Sequence, residues 1–323
     1  MSELHSRKIA VLAGGTSCER EISLISGRAV FEALRACGLS VILMDPADDF
    51  ISALKREGVS LVFLALHGTF GEDGTVQKML ERAGIEYTGS GPLASELAFD
   101  KARTQALFKK SGIRVPDFLI LKKGESLAGK KFPSFPWAVK PSRSGSSVGI
   151  SLVFEKERFE EACEEAFPYS DTLLVDQYIP GRELTVGILG DRPLPIVEVI
   201  AHRKFYDYEA KYKDSETRYE FPAKLGRDEA KIVSETALRA YRALGCEVMG
   251  RVDIILGKNS LPYVLEVNTI PGLTNKSLLP KAAMAEGIDF PALCVRILDL
   301  SLKRPGSVGL VANEEERKIW QSP

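Results

Sequence analysis

No stretch of this 323-residue chain has the length of a membrane-spanning helix. Its longest apolar runs, such as Leu61 to Leu66, have the length of buried strands. Neither charge is in excess, with 43 Lys and Arg against 44 Asp and Glu. That balance removes any global pull toward nucleic acid or an anionic membrane, so neither is expected as a partner. The first residues, Met1 to Lys8, are polar and offer no signal-peptide apolar region. The cysteines (Cys18, Cys37, Cys163, Cys246 and Cys294) are odd in number and show no C-x-x-C spacing. Reduced thiols in a cytoplasmic protein are the simplest account, and a zinc site is not expected. The chain also lacks the G-x-x-x-x-G-K-[ST] phosphate loop.

What is present is a globular composition, 45% apolar, in a chain long enough for two or three domains. The first hundred residues alternate strand and helix. Lys8 to Leu12, Val41 to Met44 and Leu61 to Leu66 read as strands. A helix from about Ser17 carries Ile22, Ile25, Ala29 and Ala33 at amphipathic spacing, and helical stretches follow near Ile51 to Glu57 and at Thr75 to Ala83. This is a doubly wound parallel α/β pattern. Beyond Ser90-Gly91-Pro92 the pattern changes. A helix spans Lys101 to Lys110, and strands are expected at Trp137 to Lys140, Leu173 to Tyr178 and Glu183 to Leu189. A helix at about Asp228 to Leu244 precedes two further strands.

Those two strands carry the strongest chemical signal. Arg251-Val252-Asp253 and Glu266-Val267-Asn268 flank the turn segment Gly257-Lys258-Asn259-Ser260, so they can pair as a hairpin. Alternation puts Arg251 with Asp253 and Glu266 with Asn268. Two carboxylates, an amide oxygen and a guanidinium on one patch suit Mg²⁺ held between protein and phosphates. A surface hairpin with an ordinary Arg–carboxylate pair is the competing reading.

Other segments each have a functional and a plain reading. Ser142 to Gly149, entered by Lys140, can fold over a triphosphate with its N–H and hydroxyl donors, or be a solvated linker. Gly14-Gly15 precedes the first long helix, where α/β sheets bind ligands, and Glu19 could hold an ammonium. Thr16-x-x-Glu19 equally fits a capping box, and taken alone that reading is favoured. His67-Gly68-Thr69-Phe70-Gly71-Glu72-Asp73-Gly74 follows a strand end, where His67 either orients a substrate or serves its loop. Asp176 to Ile179 ends a strand before Pro180-Gly181. The insertion Lys204 to Leu225 is aromatic and charged with little aliphatic content, as a lid over ligand or a surface loop would be. In Pro271-Gly272-Leu273-Thr274, a glycine N–H can meet an oxyanion, or the segment is a plain turn.

In this order, GGTSCEREISL, HGTFGEDG, KPSRSGSSVG, FYDYEAKY, GRVD and EVNTIPGLTNKSL resemble the D-alanine–D-alanine ligases of the ATP-grasp superfamily, from Lys8 to about Leu302. The resemblance implies an α/β protein of three domains. An N-terminal doubly wound parallel-sheet domain (1–95) precedes a central domain (96–181) and a C-terminal domain (182–312, with lid 204–225), followed by a tail (313–323). The last two, both α+β, grip ATP between antiparallel sheets. It further implies ATP-driven joining of two D-alanines through an acyl phosphate, two Mg²⁺ (or Mn²⁺), room for a monovalent cation, a homodimer, and peptidoglycan precursor synthesis in a bacterial cytoplasm. Other ATP-grasp ligases, taking a hydroxy acid or another amino acid, and a non-catalytic ATP-binding relative are the alternatives.

By the same resemblance, Glu19 takes the first ammonium with His67 nearby, and Lys101 and Lys140 contact ATP phosphates. The loop of Ser146 and Ser147 closes over them, with Ser146 and Tyr212 linked to Glu19. Lys211 lies near the transferred phosphate. Asp253, Glu266 and Asn268 ligate the metals. Arg251 and the Gly272 N–H stabilise the oxyanion, and Ser277 with the Leu278 N–H binds the second carboxylate. Glu183 takes the ribose, and the backbone from Asp176 to Ile179 surrounds adenine. Many relatives carry Glu-Lys where this chain has Asp176-Gln177, so the roles of those two side chains stay open.

Overall fold

The computed structural model describes residues 2–145, 148–200, 217–274 and 276–304. The expectations for Ser146, Ser147, Lys211 and Tyr212 therefore lie outside the described residues, as does most of the lid segment. A short helix α1 (Ser2–His5) precedes β1 (Lys8–Leu12), α2 (Arg20–Ala36), β2 (Ser40–Met44), α3 (Phe50–Arg56), β3 (Leu61–Leu64), α4 (Thr75–Ala83) and β4 (Glu86–Tyr87). These strands form a parallel sheet of order β2-β1-β3-β4. Helix α2 packs on one face, against Ile9, Val11 and Phe63. The α3 and α4 side chains Phe50, Leu54, Val76 and Leu80 pack with Ala10, Leu12 and Leu64 on the other. Burial on both faces explains why β1 and β3 are continuous apolar runs without alternation.

The amphipathic stripe of α2 has an unexpected destination. The buried face holds Ser23, Ser26, Gly27, Val30, Ala33 and Leu34. Ile25 is exposed, and with Ile22 and Ala29 it lines a cavity shared with the last sheet. Small residues on the buried face let the helix sit close to β1: a Cβ on Gly27 would fall 2.1 Å from the Cβ of Ala13.

Next come α5 (Pro92–Phe99), α6 (Lys101–Lys110), β5 (Phe118–Lys122), β6 (Trp137–Pro141), β7 (Ser151–Val153), α7 (Phe159–Ala166) and β8 (Thr172–Gln177). Their strands form an antiparallel sheet of order β5-β8-β6-β7, covered by α7 around Trp137, Val139, Phe159 and Val175. The last part comprises β9 (Gly181–Leu189), β10 (Arg192–Pro193), β11 (Val197–Ile200), β12 (Arg218–Glu220), α8 (Arg227–Ala243), β13 (Met249–Gly257), β14 (Pro262–Asn268), α9 (Leu278–Met284) and α10 (Phe290–Leu302). Its sheet is antiparallel, ordered β12-β11-β9-β13-β14 with β10 on β9. Helix α8 buries Val233, Ala237 and Tyr241 on one face of this sheet, sharing a core with Ala94, Leu97 and Phe108 of α5 and α6. Helices α9 and α10 cover the other end, and their Leu279, Leu293 and Ile297 join the core that also contains α2. Strand β12 pairs with β11, so the end of the insertion after Lys204 is a sheet edge rather than loop.

A clasp ties the first sheet to the last. Arg304 NH1 donates to the Gly89 carbonyl at 3.0 Å, and its guanidinium lies 4.3 Å from the centre of the Tyr87 ring. Ser90 Oγ accepts the Glu247 N–H at 3.0 Å. All five cysteines are free thiols, and among the described residues no helix is long and apolar enough to cross a membrane.

Candidate active site

The hairpin forms as its sequence indicates, with one added device. Arg251 pairs with Asn268 and Asp253 with Glu266, but the register shifts between Asp253 and Ile254, which pairs with Val264. Leu265 is therefore an extra residue on β14. Strict alternation from Val264, which is fully buried, would turn Glu266 and Asn268 into the core. The bulge turns both to the face of Arg251 and Asp253 instead. The half-buried acidic and amide groups thus share one patch while Val252, Ile254, Val264 and Val267 face the core.

Arg251 holds Asp253 with two bonds, Nε to Oδ1 at 2.9 Å and NH2 to Oδ2 at 2.7 Å. The plain reading of the hairpin anticipated such a pair, but both side chains are largely shielded, 14% and 16% exposed, rather than on an open surface. Thr185 Oγ1 donates to Asp253 Oδ1 at 2.6 Å from the neighbouring strand β9, and Asn268 Nδ2 donates to Asp253 Oδ2 at 3.2 Å. Lys101 Nζ stands 3.3 Å from Glu266 Oε2 and donates to the Ser144 carbonyl at 2.6 Å. Both carboxylates are therefore already paired to cations. Two carboxylates and an amide oxygen are hard donors that fit Mg²⁺. Among the described residues no group of three His, Cys, Asp or Glu side chains that could hold a metal gathers, so the patch offers two carboxylates and the Asn268 amide rather than an acidic cage.

A cavity of about 540 Å³ opens beside this patch. Glu183, Arg251, Asp253, Gly272, Ser277 and Leu278 all line it, facing Ile22 and Ile25 of α2. Ser277 precedes α9 at its N-cap and its Oγ accepts the Thr274 N–H at 3.1 Å. Gly272 lies so close to that hydroxyl that a Cβ would fall 2.9 Å from Ser277 Oγ. Leu278 begins the helix, so its N–H has no intrahelical acceptor.

A smaller cavity is lined by Lys101, Gly145, Glu266, Asn268 and Glu72. Here the glycines of the serine-rich loop and of the His67 loop converge on Glu19. A Cβ on Gly145 would fall 2.1 Å from Glu19 Oε2, and one on Gly68 would fall 2.7 Å from it. Glu19 sits at the N-cap of α2 but makes no side-chain cap bond, and the helix begins at Arg20. The capping-box reading of Thr16 and Glu19 is therefore wrong: the buried Glu19 side chain is turned toward these loops instead of the helix end. Asp45 fixes the preceding turn by accepting the Gly15 N–H at 2.8 Å and pairing with Arg20 at 2.6 Å.

His67 is buried, and its Nε2 lies 3.1 Å from Ser26 Oγ. Burial pushes its imidazole down to about 4; the Ile270 backbone carbonyl favours the protonated ring and the Arg251 charge opposes it. The ring is neutral at pH 7. Burial pushes the Glu72 carboxyl well above the usual range, and the negative charge of Glu19 adds to that shift.

Lys140, Asp176 and Gln177 line neither cavity. Lys140 Nζ instead pairs with Asp176 at 2.5 Å, and Gln105 Nε2 donates to the same carboxylate at 3.2 Å. The Asp176 side chain, whose role the sequence left open, is the buried counter-ion of Lys140. Burial raises its affinity for a proton and the Lys140 charge opposes that. Gln177 is bound through its backbone, donating to the Asp117 carbonyl at 2.8 Å, and Ile179 lies near Gly257 at the end of β13. Sequence reasoning missed Thr185, Gln105 and Asp45, whose single polar side chains carry no spacing signal. It also assigned no role to Glu72, although that residue stood inside a quoted segment.

Comparison with known proteins agrees with this architecture. Family profiles described as "D-ala D-ala ligase N-terminus" and "D-ala D-ala ligase C-terminus" match residues 47–90 and 107–299. A D-alanine–D-alanine ligase of Syntrophotalea carbinolica is 47% identical over 92% of this chain and 96% of its own length. One from Pelobacter propionicus is 46% identical over 94% and 99%. The crystal structure of the Bacillus anthracis ligase complexed with ATP superposes with a TM-score of 0.82 at 32% identity, over 92% of this chain and 98% of that one. Profiles for both ends, relatives matched along nearly their whole length and a common fold converge on one conclusion: the chain belongs to the D-alanine–D-alanine ligase family.

Proposed function

We propose that this cleft joins two D-alanines at the expense of ATP, releasing ADP and phosphate, with the residues above sharing the work. A carboxylate is a poor electrophile, and phosphorylation gives it a leaving group. The amine of the second D-alanine then attacks the acyl phosphate, and the tetrahedral adduct expels phosphate. The observation that carries the reading is the β14 bulge. It gathers Arg251, Asp253, Glu266 and Asn268 on one face, where Arg251 and Asp253 line the large cavity with Gly272 and Ser277, and Glu266 and Asn268 line the smaller one with Lys101.

Glu19 accepts the ammonium of the first D-alanine, and its contact with Gly68 and Gly145 supports a site closed between two loops. Neutral His67 adds no charge there. Lys101 and Lys140 meet the ATP phosphates, with Ser146 and Ser147 closing over them. Arg251 and the Gly272 N–H stabilise the oxyanion, where preorganised donors act most strongly. Ser277 and the Leu278 N–H hold the second carboxylate. Glu183 binds the ribose, and the backbone of Asp176, Gln177 and Ile179 frames adenine. Lys211 and Tyr212 belong to a lid, Tyr212 joining Ser146 and Glu19. Asp253, Glu266 and Asn268 would hold two Mg²⁺ (or Mn²⁺), which when bound neutralise phosphate charge and polarise the transferred group.

The same reading gives three domains at 1–95, 96–181 and 182–312, with lid 204–225 and tail 313–323. It also gives a cytoplasmic homodimer that supplies peptidoglycan precursor. Product analysis tests it. Phosphate release should require both ATP and D-alanine and should yield D-alanyl-D-alanine, with little ester when D-lactate competes. ATP hydrolysis indifferent to D-alanine, or a product with another second substrate, would overturn it.

A further inference from the structure

The loop after β3 carries a carboxylate that the reaction as described does not use. Glu72 Oε2 accepts the Gly68 N–H at 2.7 Å, and the Glu72 N–H donates to the Gly68 carbonyl at 2.8 Å. One residue therefore fixes both polar groups of Gly68. The loop is braced twice more. Gln77 Nε2 donates to the Gly71 carbonyl at 2.7 Å, and Ser17 Oγ donates to the His67 carbonyl at 2.6 Å. Gly68 has φ +73°, a left-handed conformation that any side chain would strain. It also leaves room for Glu19, whose Oε2 would lie 2.7 Å from an added Cβ. Glu72 itself lines the small cavity with Lys101, Glu266 and Asn268, next to where the two loops meet.

We propose that Glu72 is a positioning residue for the first amino-acid substrate: it locks the Gly68 turn that forms one wall of the Glu19 carboxylate, and so fixes the acceptor of the substrate ammonium. The inference rests on the reading of Glu19 as that acceptor. The Glu72 carboxyl oxygen can accept the Gly68 N–H whether or not the group carries a proton, so the bond survives the burial that raises its affinity for one. Without it the Gly68 N–H is left in a part-buried place with no acceptor, and the turn relaxes to find one. A relaxed turn no longer defines the Glu19 rotamer, and orientation at the reacting centre suffers. The Glu72 side chain acts at one remove from substrate, so its signature is a selective loss of first-substrate affinity.

The experiment compares Glu72→Ala, Glu72→Gln, Glu72→Asp and Glu19→Ala by steady-state kinetics over a wide D-alanine range, which separates the two D-alanine KM values. Thermal melts run in parallel. Glu72→Ala should raise the first D-alanine KM by roughly tenfold or more and leave the ATP KM within about twofold. Glu72→Gln keeps an oxygen for the Gly68 N–H and should recover most of that loss. Glu72→Asp, one methylene shorter, should not. If Glu72→Ala fails to fold, the Gln-against-Asp contrast carries the same test. An unchanged first KM in the Ala variant, a parallel rise in ATP KM, or a Gln variant as impaired as Asp would overturn the proposal. A Glu19→Ala variant with an unchanged first KM would instead overturn the reading of Glu19.

Discussion

Replacing Asp176 by Asn should unfold the antiparallel β5-β8-β6-β7 sheet at markedly lower denaturant. Asp176 is 1% exposed and Lys140 7%, and their charged atoms stand 2.5 Å apart on adjacent strands. Removing the carboxylate charge strands an ammonium in a site with little water. Breaking such a pair from one side costs about 3–5 kcal/mol. With a urea dependence of about 2 kcal/mol per molar, the midpoint should fall by roughly 2 M. Trp137 is on β6, three residues before Lys140, and directly opposite Gln177, so its fluorescence reports this sheet. The other tryptophan, Trp320, is removed by Trp320→Phe to clear the background. Asp176→Leu combined with Lys140→Met should restore most of the stability, since burial already disfavours the Asp176 charge and a desolvated pair gains little over apolar packing. The double variant should nonetheless lose stabilisation by ATP. A single Asn variant within about 1 kcal/mol of the parent, or a double variant worse than the single, would refute the reasoning.

Acid should also weaken the fold through His67. Its folded pKa is depressed to about 4 from 6.5, so its contribution is complete above pH 6.5 and is lost as pH falls toward 4. The shift corresponds to about 3 kcal/mol. Urea midpoints across that range should show the loss, and a His67→Gln variant should lack this part of it. Arg304→Ala removes a donor to the Gly89 carbonyl and the ring contact with Tyr87, and should cost about 1–3 kcal/mol by thermal or chemical unfolding. Ser277→Ala should raise the KM of the second D-alanine while leaving the first nearly unchanged, as separated in initial-rate curves. Tyr212→Phe should weaken the preference for D-alanine over D-lactate in competition, and an unchanged product ratio would exclude a lid role for that hydroxyl.

Local pattern alone determined much of this protein. Helices at Thr75–Ala83 and Lys101–Lys110 and strand Lys8–Leu12 have the bounds their periodicity and flanking glycines indicate, because propensity, hydrophobic period and stop signals agree there. The ordered motifs also named the family, since chemistry-bearing residues cluster in segments long enough to read. Three things were decided only by tertiary packing. The Leu265 bulge set the face of Glu266 and Asn268, and a one-residue shift in strand pairing leaves no mark in composition. Three residues of the apolar stripe of α2, Ile22, Ile25 and Ala29, went to the cleft while Ala33 joined the core, where small Ser26 and Gly27 allow close approach. Glu19 was drawn away from its helix end, and Asp176 onto Lys140, by partners that lie dozens of residues away in sequence. Periodicity reports which side of an element is apolar, whereas the partner of a buried charge depends on which strands and loops the whole chain brings beside it.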